Sequence, residues 1–316
     1  MRAVRVAVVG AVFLLTACVS EVGGTAVPAG VEPAPAAPLT TEAFGDLGTL
    51  DPCGLTGPAA TMGLGTARMP GTPSLDECRV TVATDEGHVY VRVGSMTTED
   101  RLPEDREPVF DPGRGATIVS LPKSCEAALV LADGLAVTAT TTLFGDGTPS
   151  AATRCGLAQG AVRGVYDVLA AGRVRHWAPA RNSLATVSAC DVLSAHRVAE
   201  RLDLPSERPT LYPAGHRCRW GRPATSPVLT LEFRVGESAA DMGVPAGVSE
   251  ETLGGRRSWV VPPGRECVVV TEHIPFALGA GLREYVVLQL IDADTDGCDV
   301  VRELAGTAWP DLPPLD

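Results

Sequence analysis

A thiol at position 18 follows Leu15-Thr16-Ala17, and that spacing carries chemistry of its own. It matches a bacterial lipobox. The Cys18 sulfur would take a diacylglyceryl group through a thioether, and the small Thr16 and Ala17 would let a signal peptidase reach the bond before it. Upstream lie Arg2 and Arg5 and the apolar run from Val6 to Leu15. A charged start followed by about ten apolar residues is too short to span a bilayer and fits a cleavable export signal. Residues 1–17 are therefore expected to be a lipoprotein signal peptide. Cys18 is the expected lipidation site, holding the chain on the outer face of the cell membrane; two acyl chains suffice where one is marginal. An ordinary secretory signal with an incidental cysteine is the alternative.

Eight further cysteines remain: Cys53, Cys78, Cys125 and Cys155, spaced by 25, 47 and 30 residues, then Cys190, Cys218, Cys267 and Cys298, spaced by 28, 49 and 31. In an exported chain an even set reads as disulfides. The near-equal gaps read as a tandem duplication. The simplest pairing is first with second and third with fourth in each set, although four cysteines allow three pairings and the spacing does not choose among them. No C-x-x-C is present, which argues against zinc.

One segment has the donor spacing of a calcium loop. Asp292, Asp294 and Asp296 alternate before Gly297, and Glu303 follows at the position of a bidentate ligand. The segment follows an expected strand instead of a helix, and the first cysteine set has no counterpart. The competing reading is an acidic cap before a helix N-terminus, which the helix dipole favours. Acid–base or nucleophilic catalysis finds less support. The five histidines (His88, His176, His196, His216, His273) sit in no H-E-x-x-H, and no serine lies in G-x-S-x-G. His196 and His216 could approach one another if Cys190 and Cys218 pair.

These residues need elements to hold them. Cys53 and Cys190 each precede a short Ala-containing stretch, with Thr56 and Ser194 as N-cap candidates. Val192, Ala195, Ala199 and Leu202 would form one helical face. Cys78 and Cys218 open strands; Val80 and Val82, then Val89, Val91 and Val93 after Asp85-Glu86-Gly87, describe a hairpin. Leu229, Leu231, Phe233 and Val235 give the return strand of the second set. Strands are also expected at 125–131, 135–142, 267–271 and 284–291, with closing helices at about 152–171 and 298–305. Gly254-Gly255-Arg256-Arg257 reads as a turn before a strand at 258–261. The fold class is thus α+β: two tandem related domains at 45–178 and 183–316, each an antiparallel sheet of four or five strands between an N-terminal and a C-terminal helix, with two disulfides. A Pro/Ala-rich tether is expected over 18–44. The acidic, proline-containing stretch 97–111 reads as a surface loop.

Removing the signal with its two arginines takes the net charge from −12 to about −14 and leaves 299 residues. That acidity argues against a nucleic-acid partner and against a basic membrane-binding patch. The one lysine, Lys123, amid arginine, alanine and glycine is the usage of a GC-rich bacterial genome.

Asp51-Pro52-Cys53, Ala189-Cys190-Asp191-Val192-Leu193 and Cys218-Arg219-Trp220, together with the lipobox, resemble the actinobacterial secreted lipoproteins of unknown function that carry a four-cysteine α+β domain. That domain is similar to the extracellular sensor domains of some mycobacterial receptor kinases. The first set departs from the pattern at Val80, where tryptophan is expected, and the family is usually a single domain. The resemblance implies an envelope location and a binding or sensing role, and it carries over no catalytic residue or cofactor. The expectation is a lipid-anchored, non-catalytic binding, sensing or accessory protein of the envelope. Its partner would be an envelope protein or small ligand, met through long loops at 97–115 and 236–255. A small-ligand or lipid carrier is the alternative, and an envelope hydrolase the third possibility.

Overall fold

Alternation of apolar and polar residues with period two sends every second side chain to one face of a strand. In β2 (Cys78–Thr84) and β3 (Gly87–Thr98), Val80, Val82, Val89, Val91 and Val93 are all buried on that basis. The two strands pair antiparallel, with Thr84 opposite Gly87 across a tight turn. Gly87 has φ +136°, and a Cβ there would come 3.1 Å from the Asp146 carbonyl oxygen, so only glycine fits.

The computed structural model describes residues 36–56, 63–204, 208–222, 227–261, 266–277, 279, 281–291 and 297–316. The signal segment 1–17, Cys18 and the tether up to residue 35 lie outside the described residues. The N-terminal half adds β1 (Thr66–Gly71), β4 (Glu107–Gly113), β5 (Ala116–Leu121), β6 (Glu126–Val130), β7 (Leu135–Gly147) and α1 (Ala151–Ala170). The C-terminal half contains α2 (Ala189–Val192), α3 (Ala195–Leu202), β8 (Thr210–Leu211), β9 (Arg217–Trp220), β10 (Val228–Gly236), β11 (Glu250–Leu253), β12 (Arg256–Val261), β13 (Glu266–Pro275), β14 (Arg283–Ile291) and α4 (Gly297–Ala308).

The protein is α+β, with two antiparallel sheets of seven strands. Their spatial orders are β1-β2-β3-β7-β6-β5-β4 and β8-β9-β10-β14-β13-β12-β11. Numbered within each half, the two orders are the same. The expected four or five strands per sheet are therefore too few. The extra strands lie towards the sheet margins, where alternation is weak. In β4, Glu107 to Asp111 are all exposed and two prolines are present, which an edge strand tolerates because its outer N–H groups need no partner.

Each sheet packs its main core on the helix side. Leu157, Ala158, Ala161, Val162, Val165 and Leu169 line one face of α1 and are buried against the first sheet. Ser150 caps this helix by accepting from the Thr153 N–H at 3.2 Å. In the second half, Val301, Leu304, Ala305 and Ala308 of α4 pack on Val269, Val286 and Leu288. The opposite faces carry smaller clusters, each covered by a connecting segment. Leu102 covers Val119, Leu121 and Ala128; Met242 and Val244 cover Trp259, Val270 and Val287. The stretches 97–115 and 236–255 are thus largely built into the fold instead of hanging free.

The expected N-terminal helices are reduced. Residues Pro52–Leu55 form a single 3-10 turn capped by the Asp51 side chain, which accepts from the Cys53 N–H at 3.0 Å. Thr56 closes that turn by donating its hydroxyl back to the Cys53 carbonyl at 2.7 Å, so it ends an element instead of starting one. In the second half the helix is split into α2 and α3 at Leu193-Ser194, and Ser194 caps α3. The packed chain also begins inside the stretch read as tether: Leu39 and Phe44 are buried in the first core.

The bridges join Cys53 to Cys78, Cys125 to Cys155, Cys190 to Cys218 and Cys267 to Cys298, two per half. In each half one ties the entry turn to the hairpin strand and the other ties the inner sheet to the closing helix. Four structural disulfides place the folded chain in an oxidising, extracytoplasmic compartment. Among the described residues no helix is long and apolar enough to cross a membrane.

Candidate binding recess on the C-terminal sheet

Ladder register decides which side chains meet. Ser258 pairs with Thr271, and Glu272 with Tyr285. The next rung of the β12–β13 ladder sets Arg257 beside Glu272, so Arg257, Glu272 and Tyr285 lie in a row across β12, β13 and β14. Two residues along, Trp259, Val270 and Val287 form a second, apolar row on the same face. Glu272 bridges two arginines: its carboxylate accepts from Arg257 Nη1 at 3.2 Å and pairs with Arg283 Nε at 2.7 Å. Arg257 also meets Glu250 at 2.6 Å and lies over the Trp259 ring, 4.9 Å from its centroid. Glu250 holds the Arg257 pKa above its ordinary value. Burial, reinforced by Glu272, pushes the Tyr285 hydroxyl up to about 12.

The segment 237–248 forms a wall over this face. The Asp241 carboxylate accepts from the N–H groups of Glu237 (2.8 Å) and Ser238 (2.9 Å), closing a capping box around the 3-10 turn Ala239–Met242. Gly243 then reverses the chain at φ +88°, and Val244 donates back to Ala239. Between wall and sheet lies an open recess of about 550 Å³, with Val244, Val248 and Trp259 on its apolar side and Arg257, Glu272 and Arg283 on its charged side.

The expected site residues are distributed as follows. Asp292, Asp294 and Asp296 lie outside the described residues, and Glu303 forms an ion pair with Arg201. Among the described residues no group of three or more His, Cys, Asp or Glu is placed to hold a metal ion. His196 stands exposed on α3, whereas His216 is 1% exposed. His216 Nδ1 lies 2.6 Å from Asp76 Oδ1, and Nε2 faces the Ala185 carbonyl at 3.4 Å. His273 is also buried, accepting from Arg256 at Nδ1 (2.9 Å) and donating from Nε2 to the Asn182 carbonyl (2.7 Å). His176 meets the Thr49 hydroxyl, and His88 packs edge-on to Phe144.

Three polar residues, two of them buried, escape sequence reading. Arg256 spends its guanidinium on the carbonyls of Trp309, Leu312 and Pro313, fastening the C-terminal segment. Glu284 accepts from the Ser183 hydroxyl (2.6 Å) and the Leu184 N–H (2.7 Å), fixing the connection between the halves; burial raises its pKa. Asp76 is the third. The Ser238-x-x-Asp241 spacing followed by Gly243 is the sequence signal that could have pointed to the recess wall.

No protein-family profile matches the chain, and neither a curated protein nor a solved structure matches it.

Proposed function

We propose that this chain is a lipid-anchored protein of the cell envelope with a non-catalytic binding role. Cys18 would supply the anchor, and the recess beside Trp259 would take the partner. The observation that carries the reading is the recess itself. A stapled sheet and an internally capped wall hold Trp259 next to a bridged Arg257–Glu272–Arg283 ladder. Concave sites that combine an apolar wall with a few fixed polar groups are the usual form of a binding site. The partner should present an apolar group beside a carboxylate or ammonium able to compete for Arg257 or Glu272. The extracytoplasmic compartment makes an envelope protein or an envelope-derived small ligand the natural occupant. Membership of the four-cysteine secreted lipoproteins belongs to the same proposal, resting on the cysteine-flanking motifs and the two bridges per half. An internal lipid carrier fits less well, because this recess is open and charged along one side.

Two measurements test the reading. Incorporation of an alkyne-tagged fatty acid should occur in the native chain and vanish in Cys18→Ser, which would then leave the membrane fraction. A photo-crosslinking residue at Ala246, in the recess wall, should give a discrete adduct in cells that disappears in Arg257→Ala; the same probe at exposed Arg173 should give none. Equal labelling of Cys18→Ser, or adducts of equal yield at both probe positions, would overturn the corresponding part of the proposal.

A further inference from the structure

The charge of this protein is unevenly spread. Against a total of −12, the stretch 205–226 holds four arginines (Arg208, Arg217, Arg219, Arg222) and one acid, Glu207. The fold gathers three of these arginines at the sheet margin farthest from β11. There β8 pairs with β9, placing Thr210 opposite Arg219. An open recess of about 570 Å³ is lined by Arg208, Thr210, Arg219, Gly221 and Arg222, with no carboxylate among the described lining residues. Gly221 adds no side chain to it and turns the chain at φ +80°.

Arginines elsewhere in the protein commonly face acids: Arg201 meets Glu303, Arg234 meets Glu232, Arg257 meets Glu250, and Arg302 meets Glu251. The side chains of Arg208 and Arg219 have no hydrogen-bonding or ionic partner among the described residues. The Arg219 Nε is shielded from solvent and has no hydrogen-bond acceptor. A shielded donor without an acceptor is costly, and the Arg208 and Arg219 charges lining one concave site repel one another until an anion joins them.

We propose that this recess binds a phosphate group, with Arg208 and Arg219 as the charged donors and the Thr210 hydroxyl as a third. Guanidinium forks match pairs of phosphate oxygens, and a tetrahedral anion offers more oxygens than a planar carboxylate to donors arriving from several directions. The site is separate from the Trp259 recess and stands or falls without it. The phosphate can come from a phosphodiester lipid headgroup or from free phosphate.

Calorimetric titration of the full-length chain in a neutral detergent, at constant ionic strength, tests the assignment with two soluble probes: inorganic phosphate and glycerophosphoglycerol, the latter a headgroup without its tails. Saturable binding is expected, weakened at least tenfold by Arg219→Gln and by Arg208→Gln, and unchanged by Arg173→Gln. Arg208 is exposed, so its variant leaves the fold intact even if the Arg219 variant does not. Tighter binding of the phosphodiester assigns the site to lipid headgroups, and tighter binding of inorganic phosphate assigns it to the free anion. Absence of saturable binding of either probe up to about 10 mM, weaker than any useful site, or binding that survives Arg208→Gln in full, overturns the proposal.

Discussion

His216 and His273 are both buried in the C-terminal half, yet their surroundings drive them in opposite directions. Burial disfavours the His216 imidazolium, but the hydrogen bond and charge of Asp76 outweigh that loss, and its pKa is raised. Glu284 adds to the negative field around it. For His273 burial acts without an acid to oppose it, Arg256 adds like charge, and the pKa falls to about 4 despite the bond to Asn182. The linkage signs follow from which state binds more protons. The stabilisation from His216 is fully present below its unfolded pKa and is lost as pH rises through its folded pKa. Between pH 6.5 and about 4 the unfolded chain protonates His273 while the folded chain does not, so stability is lost as pH falls through that window. The span of the His273 shift corresponds to about 3 kcal/mol. Urea unfolding at several pH values should therefore show Asp76→Asn losing more stability at pH 5.5 than at pH 8. His273→Gln should remove part of the acid-side decline. Parallel pH profiles for the native chain and both variants would contradict this account.

At the scale of elements, the bridges close loops of nearly the same length, with separations of 25, 30, 28 and 31 residues. Chain-entropy arguments then assign each about 3.5 kcal/mol, with differences of only a few tenths from loop length. Replacing Cys125 and Cys155 together by alanine, or Cys267 and Cys298 together, should lower the unfolding free energy by that amount in denaturant titrations. A difference between the two pairs above about 1 kcal/mol would show that packing around the bridge, and not chain entropy, sets its contribution. The strands and closing helices these bridges join were legible, the entry turns at Cys53 and Cys190 less so. The valines of β2 and β3 alternate, the apolar residues of α1 recur every three or four positions, and Gly254-Gly255 marks the β11–β12 turn with both residues at positive φ. Illegible elements had physical reasons for being so. β4 is an exposed edge with no face to bury, and β8 is two residues long. Thr56 has the chemistry of a cap, but its hydroxyl points back into the preceding turn. The Trp259 recess depends on three strands reaching one register and on Met242 and Val244 folding onto them. No local sequence pattern encodes such distant pairings.

Across the whole molecule, the composition break near 178–183 marks where the chain passes from one sheet to the other, but contact between the halves does not end there. Residues 37–316 form one compact unit. The segment before β2 adds backbone bonds to the far end of β10: Leu75 donates to the Phe233 carbonyl at 3.3 Å, and Val235 donates to Pro73 at 3.1 Å. Leu75, 2% exposed, sits in the core of the C-terminal half, and Asp76 beside it holds His216. From the other side of α1, Trp177 enters the same core, its ring 5.3 Å from that of Phe276 and nearly perpendicular to it. Two sheets of the same strand order are thus joined through side chains that one lends to the other's interior, a contact of the kind that couples unfolding. Leu75→Ala removes a buried side chain from a core it does not belong to by sequence, and should cost about 2–5 kcal/mol. If the halves are coupled, that loss reaches both. Hydrogen exchange of amides in β6 and β7 should then accelerate along with that in β13 and β14, and calorimetry should still show one transition, shifted down. Faster exchange in β13 and β14 with β6 and β7 unchanged, accompanied by a split thermogram, would mean that the sheets fold independently and that the shared side chains only align them.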